Sequence, residues 1–140
     1  DKNLEIKLDS YIFKSAKIGN TIIFHNALNT SKMKILKKKG IMLIKFKLND
    51  YQLFDLKEVL KKLYKLGSRN LLIEGGDKIT KNLLINRLIN RFYLFKSPKN
   101  LLKSKKHHKF TSFNILDKKY SSKYKISSKL AKDTITIYKR

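Results

Sequence analysis

The stretch of sequence that most constrains the fold is Leu71–Thr80. Its first three residues form an uninterrupted apolar run, which predicts a strand buried on both faces. Glu74 and two glycines follow, and then residues typical of the start of a helix. Glycines let a backbone approach a ligand closely, and the free N–H groups at a helix N-terminus suit a phosphate. The stretch therefore predicts a strand of an α/β sheet that ends at a ligand loop, although a plain connection between a strand and a helix has the same pattern.

Apolar periodicity predicts alternating strands and helices in the part of the chain before Pro98. The clearest helix is predicted over 55–66, where one apolar face is formed by Leu56, Val59, Leu60 and Leu63. The other predicted elements are strands at 4–8, 21–24, 41–46, 71–73 and 92–95, and helices at 30–39 and 78–90. This order predicts parallel strands joined by helical crossovers.

The pattern changes after Pro98. Residues 99–109 predict a basic, exposed loop, residues 111–116 an edge strand, and residues 124–130 with 134–138 a closing antiparallel hairpin. The predicted fold class is α/β, with a mixed, mostly parallel sheet, flanking helices and an antiparallel C-terminal hairpin. No repeat or linker marks a second domain, so we expect one domain over residues 1–140.

Length and composition bound the class of protein. The chain has 140 residues, 41% of them hydrophobic, which is enough for one core. It has no cysteine, which excludes disulfides, thiol nucleophiles and cysteine-ligated zinc. No apolar run approaches the ~20 residues that span a bilayer, and no secretory signal is visible, so the expected compartment is the cytoplasm. Because the chain begins at Asp1 rather than Met, we expect it to be a piece of a longer protein.

The formal net charge of +24 has two explanations. A strongly basic domain is typical of nucleic-acid binding. However, all but four of the 34 basic residues are lysines, and they are spread along the chain with many Ile and Asn residues. That composition is typical of an AT-rich genome, whereas nucleic-acid binders use more arginine for bidentate contacts. We favour compositional bias and keep a basic nucleic-acid-binding domain as the alternative.

The histidines give weaker signals. His25 ends the predicted strand at 21–24, a position where a structural role is commoner than ligand binding. His107 and His108 lie in the predicted basic loop, with no carboxylate nearby to complete a set of metal ligands. We therefore predict no metal site.

Four segments, in order along the chain, resemble the reductase domain of the bifunctional riboflavin-biosynthesis deaminase/reductase. They are the turn Leu8-Asp9-Ser10, the Glu-Gly-Gly segment over 67–79, the helix–strand–proline segment over 82–98, and the terminal hairpin over 130–136. Each segment alone is moderately specific for this family. The four segments in this order and spacing are more specific than any one of them. The resemblance extends from about Leu4 to Tyr138.

The resemblance implies a fold similar to dihydrofolate reductase and a specific reaction. That reaction is the NADPH-dependent reduction of 5-amino-6-(5-phosphoribosylamino)uracil to the ribitylamino compound, by an enzyme that tends to form homodimers. Carried over by position, Glu74 contacts the substrate, and no catalytic residue is assigned. The residues that would contact NADPH are Ser10, Gly76, Asp77, Lys78, Ile79, Thr80, Lys81 and Asn82.

This chain also departs from the family pattern. Asn90-Arg91 replaces a common Asp-Glu pair, and Lys103 and Ala131 stand where glycines are usual. Strands and loops that the family normally has upstream, which supply much of its substrate and cofactor contact, are not in this sequence. We therefore expect a single reductase-like domain that lacks its N-terminal part, and an activity that needs the upstream segment. A non-catalytic relative of the reductase is a further alternative.

Overall fold

The structure, a computed structural model, describes residues 1–28, 30–98, 110–126 and 132–140. It contains two compact units, Asp1–Ser68 and Arg69–Arg140. The expectation of one domain that lacks its N-terminal part stays a prediction.

The first unit is built on a parallel strand pair. Its elements are α1 (Tyr11–Ser15), β1 (Ile22–His25), α2 (Ser31–Lys38), β2 (Met42–Lys45) and α3 (Leu56–Lys65). Strands β1 and β2 are parallel, with α2 connecting them, as the sequence predicts. The core of the unit consists of Leu4, Ala16, Ile23, Leu36 and Ile41.

The predicted strand at 4–8 does not form. The carboxylate of Asp1 accepts hydrogen bonds from the N–H groups of Glu5 and Ile6, at 2.9 and 2.8 Å. Leu4 is buried, and its φ of +56° turns the chain out of an extended path. The segment has the alternation of a strand, but its backbone donors bind this carboxylate instead of a neighbouring strand.

Helix ends follow their local signals where a glycine is present. Asp55 caps α3 by accepting from the N–H of Lys57 at 2.9 Å. Gly67, with φ +97°, ends α3: its N–H donates to the carbonyl of Tyr64 at 3.0 Å, and the N–H of the next residue, Ser68, donates to the carbonyl of Leu63 at 3.1 Å. These two bonds to the last turn form a Schellman motif, and α3 therefore has nearly the predicted bounds.

The helix predicted over 78–90 ends earlier, at Ile85. Arg87 adopts a left-handed conformation with φ +52°, and Leu88 donates its N–H to the carbonyl of Leu83 at 2.9 Å. This is again the Schellman pattern, but with arginine at the position that glycine usually occupies. The sequence gives no signal for the end of this helix, and the prediction was therefore five residues too long.

The second unit contains a three-stranded antiparallel sheet. Its elements are α4 (Asp77–Ile85), β3 (Arg91–Lys96), α5 (Phe113–Lys119), β4 (Ser122–Ile126) and β5 (Thr134–Lys139). The strand order is β3-β5-β4. The buried cluster consists of Leu84, Leu116, Tyr120 and Tyr138. The predicted C-terminal hairpin is confirmed for its described part, since β4 pairs with β5.

The predictions of two strands in this unit are wrong. Residues 71–73 form no strand, and Leu72 is 81% exposed, because no backbone among the described residues pairs with them. Residues 111–116 do not form an edge strand, because helix α5 begins at Phe113. Leu116 and Tyr120, four residues apart, are both buried and lie on one face of a helix. The predicted basic loop at 99–109 lies outside the described residues.

The mixed α/β class is confirmed. Parallel pairing is present between β1 and β2, and antiparallel pairing in the β3-β5-β4 sheet, with helices in both units. The predicted alternation of four strands with three helices is not realised, because the strand at 71–73 is missing.

Candidate functional site

The candidate site is the N-terminus of α4 and the turn before it. Gly76 is the N-cap residue, with φ −71° and ψ 172°, and no side chain caps the helix. The first helical hydrogen bond runs from the N–H of Thr80 to the carbonyl of Gly76, at 3.2 Å. The N–H groups of Asp77, Lys78 and Ile79 have no acceptor among the described residues. Three backbone donors therefore remain available at the positive end of the helix dipole.

The two glycines before α4 have different roles. A Cβ built on Gly75 would lie 2.3 Å from Cγ2 of Ile79, so the chain itself requires glycine there. A Cβ built on Gly76 would meet nothing within 4 Å. The φ of Gly76 is also allowed for other residues. The space beside Gly76 leaves the three backbone donors open to a ligand.

Asp77 binds to the start of α5 through its side chain. Its carboxylate accepts from the N–H of Thr111 at 3.0 Å, from Oγ1 of Thr111 at 2.6 Å and from Oγ of Ser112 at 3.3 Å. Hydrogen bonds from Thr111 are the main reason why the pKa of Asp77 lies below its ordinary value, with a smaller effect from Lys81. The side chain of Asp77 thus fixes the start of α4 against α5, and its backbone N–H remains available.

The other predicted site residues of the second unit are mostly at the surface. Glu74 is exposed, and no hydrogen bond or ion pair engages its side chain among the described residues. Lys78 and Lys81 are exposed, whereas Thr80 is partly buried. The side chain of Asn82 accepts from Nδ2 of Asn86 at 3.1 Å. The residues from Glu74 to Asn82 are therefore one continuous segment with three free donors, one free carboxylate and two lysines.

Ser10, the remaining predicted cofactor contact, belongs to the first unit. It is the N-cap of α1: its Oγ accepts from the N–H of Phe13 at 3.4 Å and donates to the carbonyl of Lys7 at 2.6 Å. Its hydroxyl therefore has a structural role, and its predicted contact with NADPH stays a prediction.

His25 is buried in the first unit, and its Nδ1 has no hydrogen-bond partner among the described residues. Burial lowers the pKa of His25. The positive charges of Lys45, Lys37 and the terminal ammonium lower this pKa further, while a backbone contact with Ala27 opposes the shift. The neutral imidazole is therefore the stable form in the folded unit.

Sequence analysis missed Thr111 and Ser112 as partners of Asp77. They lie 34 and 35 residues from it, so no local pattern links them. A Thr-Ser pair before a helical turn is a capping signal, but the alternation of residues 111–116 predicts a strand there instead. Within the described ranges, no group of three or more His, Cys, Asp or Glu side chains could hold a metal ion. Across the same part of the chain, every helix is too short or too polar to cross a membrane.

The described geometry is that of an α/β protein with a candidate anion site at a helix N-terminus. The RibD C-terminal domain family matches residues 1–115, which is most of the chain, and the chain therefore belongs to this family. A solved structure of a pyrimidine reductase-like protein from Corynebacterium diphtheriae is similar in fold, with a TM-score of 0.63 and 16% sequence identity. The alignment covers 99% of this chain and 58% of that protein, so this chain spans less than two thirds of its length. No curated protein sequence matches this chain significantly.

Proposed function

We propose that this chain is part of an NADPH-dependent reductase of riboflavin biosynthesis. Its substrate is 5-amino-6-(5-phosphoribosylamino)uracil, which is reduced to 5-amino-6-(5-phosphoribitylamino)uracil. Membership of the RibD C-terminal domain family supports a reductase of this pathway. The observation that carries the cofactor proposal is the α4 N-terminus, where three backbone N–H groups are free beside the open space at Gly76.

NADPH, when bound, supplies the hydride for this reaction. The N–H groups of residues 77–79 would then bind its phosphates, because a helix N-terminus combines unpaired donors with a favourable dipole. Lys78 and Lys81 add positive charge beside these donors. Glu74 would contact the substrate, and Ser10 would be a further cofactor contact. These residues bind and orient, and such positioning is a large part of catalysis in a reaction whose chemistry belongs to a cofactor.

We also propose a homodimer as the functional form and the cytoplasm as its location. The homodimer follows from the family resemblance, and the cytoplasm is the compartment expected from the sequence. Light scattering on the purified protein would test the dimer, and a single monomeric species at all concentrations would contradict it.

The experiment that tests the function is substrate-dependent oxidation of NADPH, followed by its absorbance, in the longest polypeptide that carries this chain. We expect oxidation that is lost in Glu74→Ala and strongly reduced in Gly76→Val. Glu58→Ala is the matched control, since it also removes an exposed carboxylate but lies on α3, where Glu58 pairs with Lys61.

Unchanged oxidation in Glu74→Ala and Gly76→Val would refute the site. A folded protein that oxidises no NADPH would refute the reaction and leave the alternatives of a non-catalytic relative or a nucleic-acid-binding domain. Steep loss of nucleic-acid affinity with rising salt would then indicate the second alternative.

A further inference from the structure

The β3-β5-β4 sheet of the second unit has one face that packs on the buried cluster and one face that does not. Phe92 and Leu94 of β3 pack against this cluster. Successive side chains of a strand point to opposite faces of a sheet, so Tyr93 and Phe95 lie on the other face. These two side chains are 45% and 65% exposed. We call this second face the open face, because large aromatic rings remain accessible to solvent on it.

The open face consists of nine residues in three rows that cross β3, β5 and β4 in that order. The strand register gives the rows as Tyr93, Ile137 and Tyr124; Phe95, Ile135 and Ile126; and Arg91, Lys139 and Ser122. Two rows are therefore aromatic or aliphatic, and the third carries two positive charges and a hydroxyl. Neighbouring strands are ~4.8 Å apart and neighbouring rows ~6.8 Å apart.

The size of the two apolar rows limits what can bind there. With the spacings of a sheet, two rows on three strands cover roughly 14 by 14 Å, or about 200 Å². A stable protein–protein interface needs about 800 Å² from each partner. The apolar rows are thus too small to hold a second copy of this chain by themselves. They are large enough for two or three flat bases, the number that the sheet of an RNA-recognition domain stacks on its aromatic residues.

The cations of the third row lie beside these rings. Nζ of Lys139 is 4.9 Å from the centroid of the Tyr124 ring. Arg91, the register partner of Lys139, is exposed. Neither cation forms an ion pair among the described residues, and none of the nine residues of the open face is Asp or Glu. Exposed rings beside unpaired cations favour single-stranded nucleic acid, because its bases stack on the rings while its phosphates bind the cations.

We propose that the open face binds single-stranded RNA. Bases stack on the three aromatic rings, and the phosphates bind Arg91 and Lys139. Ser122, at the end of the cationic row, presents a hydroxyl to the ribose 2′-OH, the group that distinguishes RNA from DNA. The proposal rests on the arrangement of this face and not on the net charge of the chain. It also does not depend on the proposed reductase activity.

Fluorescence anisotropy of a labelled oligouridylate tests the proposal, with a length of about eight nucleotides, since one small binding fold contacts ~4–16 nucleotides. Phe95→Ala should weaken binding roughly tenfold through the loss of one stacked base, whereas Phe95→Tyr should retain it. Tyr51→Ala is the matched control and should not change the affinity, because Tyr51 is 83% exposed but belongs to the first unit. Equal affinity in Phe95→Ala and the unsubstituted chain would overturn the proposal.

The salt dependence of binding tests the phosphate contacts. Lys139→Gln should reduce the slope of log affinity against log salt by about 0.7, the value for one phosphate contact of a single strand. Lys125→Gln is the control, because Lys125 is on the opposite face of the same sheet and also forms no ion pair among the described residues. Its slope should equal that of the unsubstituted chain. Equal reductions in the two variants would mean that charge attracts RNA without the open face, and would overturn the proposal.

Further measurements separate single-stranded RNA from other occupants. Gly76→Val should leave binding unchanged, because Gly76 lies at the α4 N-terminus and not on the open face. Duplex RNA that binds as tightly as the single strand would overturn the stacking of unpaired bases. Equal affinity for the deoxy oligonucleotide would overturn the assignment to RNA. A dimer of the chain that Phe95→Ala converts to a monomer would show that a second copy covers the face instead.

Discussion

Substitutions at the two adjacent glycines should separate a structural requirement from a ligand requirement. In Gly75→Ala the new Cβ would lie 2.3 Å from Cγ2 of Ile79, far inside the ~3.5–4.0 Å of a favourable carbon contact. Ile79 is β-branched and lies in the first turn of α4, where one χ1 rotamer is strongly preferred. Rotation of the Ile79 side chain away from the new Cβ is therefore unfavourable. Overpacking of this kind costs about 1–3 kcal/mol of the free energy of unfolding.

Gly76→Ala should change the stability little. No atom lies within 4 Å of the new Cβ, and the backbone conformation is an ordinary extended one. Replacing an N-cap glycine by alanine costs up to about 1 kcal/mol. Alanine also reduces the conformational entropy of the unfolded chain, which stabilises the folded state by about 0.4–1 kcal/mol. We expect a net change within about 0.5 kcal/mol, well below the effect of Gly75→Ala.

Urea denaturation of the two variants measures this difference. The double variant Gly75→Ala/Ile79→Ala provides the control, because it removes the methyl group that clashes. It should recover part of the stability that Gly75→Ala loses, so that the two substitutions couple with a favourable sign. Equal loss of stability in Gly75→Ala and Gly76→Ala, or no coupling with Ile79→Ala, would refute the packing argument.

The ligand requirement is tested by Gly76→Val. Its side chain would occupy the open space beside the N–H groups of residues 77–79, and we expect NADPH affinity to fall about tenfold or more, which corresponds to the ~1.4 kcal/mol of about one hydrogen bond. The stability cost of valine at an N-cap is about 1 kcal/mol, so the folded fraction can be verified before binding is measured. NADPH affinity that does not change in Gly76→Val would mean that this helix end does not bind the cofactor.

Two predictions concern pH. Because the pKa of His25 is lowered in the folded state, the contribution of His25 to stability is complete above the unfolded pKa of ~6.5 and is lost as the pH falls below that value towards the folded pKa. His25→Phe should therefore make the urea midpoint less sensitive to acid, and an unchanged pH profile would contradict this assignment. The pKa of Asp77 is also lowered, so the contribution of Asp77 to stability is present above its ordinary pKa and is lost as the pH falls through the folded pKa. Thr111→Val should lower the urea midpoint at neutral pH and reduce this loss of stability in acid. A variant with the pH profile of the unsubstituted chain would show that the Thr111 hydroxyl does not stabilise the Asp77 carboxylate.

Elements with signals inside their own sequence were predictable. Helix α3 has a capping residue at Asp55, an apolar face and a terminal glycine at Gly67, and all three are local. The pairing of β4 with β5 follows from period-two alternation on both sides of a polar turn. In these cases the local preference and the tertiary structure agree, and the sequence pattern is sufficient.

Elements that depend on a distant partner were not predictable. Residues 71–73 have the composition of a buried strand, but a strand exists only where another backbone accepts and donates its hydrogen bonds. Residues 111–116 alternate like a strand, yet burial of Leu116 and Tyr120 against Leu84 selects a helix. Helix α4 ends early because Arg87 adopts a left-handed conformation. Arginine seldom adopts this conformation, so no sequence pattern predicts the end of the helix.

The candidate site depends both on its local sequence and on contacts with residues that are distant in the sequence. Its donors come from local sequence, since any helix that begins after Gly76 leaves its first N–H groups unpaired. Its attachment to α5 comes from Asp77, whose carboxylate accepts hydrogen bonds from Thr111 and Ser112, 34 and 35 residues away. A helix end that frays would lose the alignment of these donors, because the first turn of α4 has no side-chain cap of its own. The contact with α5 therefore replaces the missing cap, and it leaves the space at Gly76 free for a ligand where a capping side chain would have filled it.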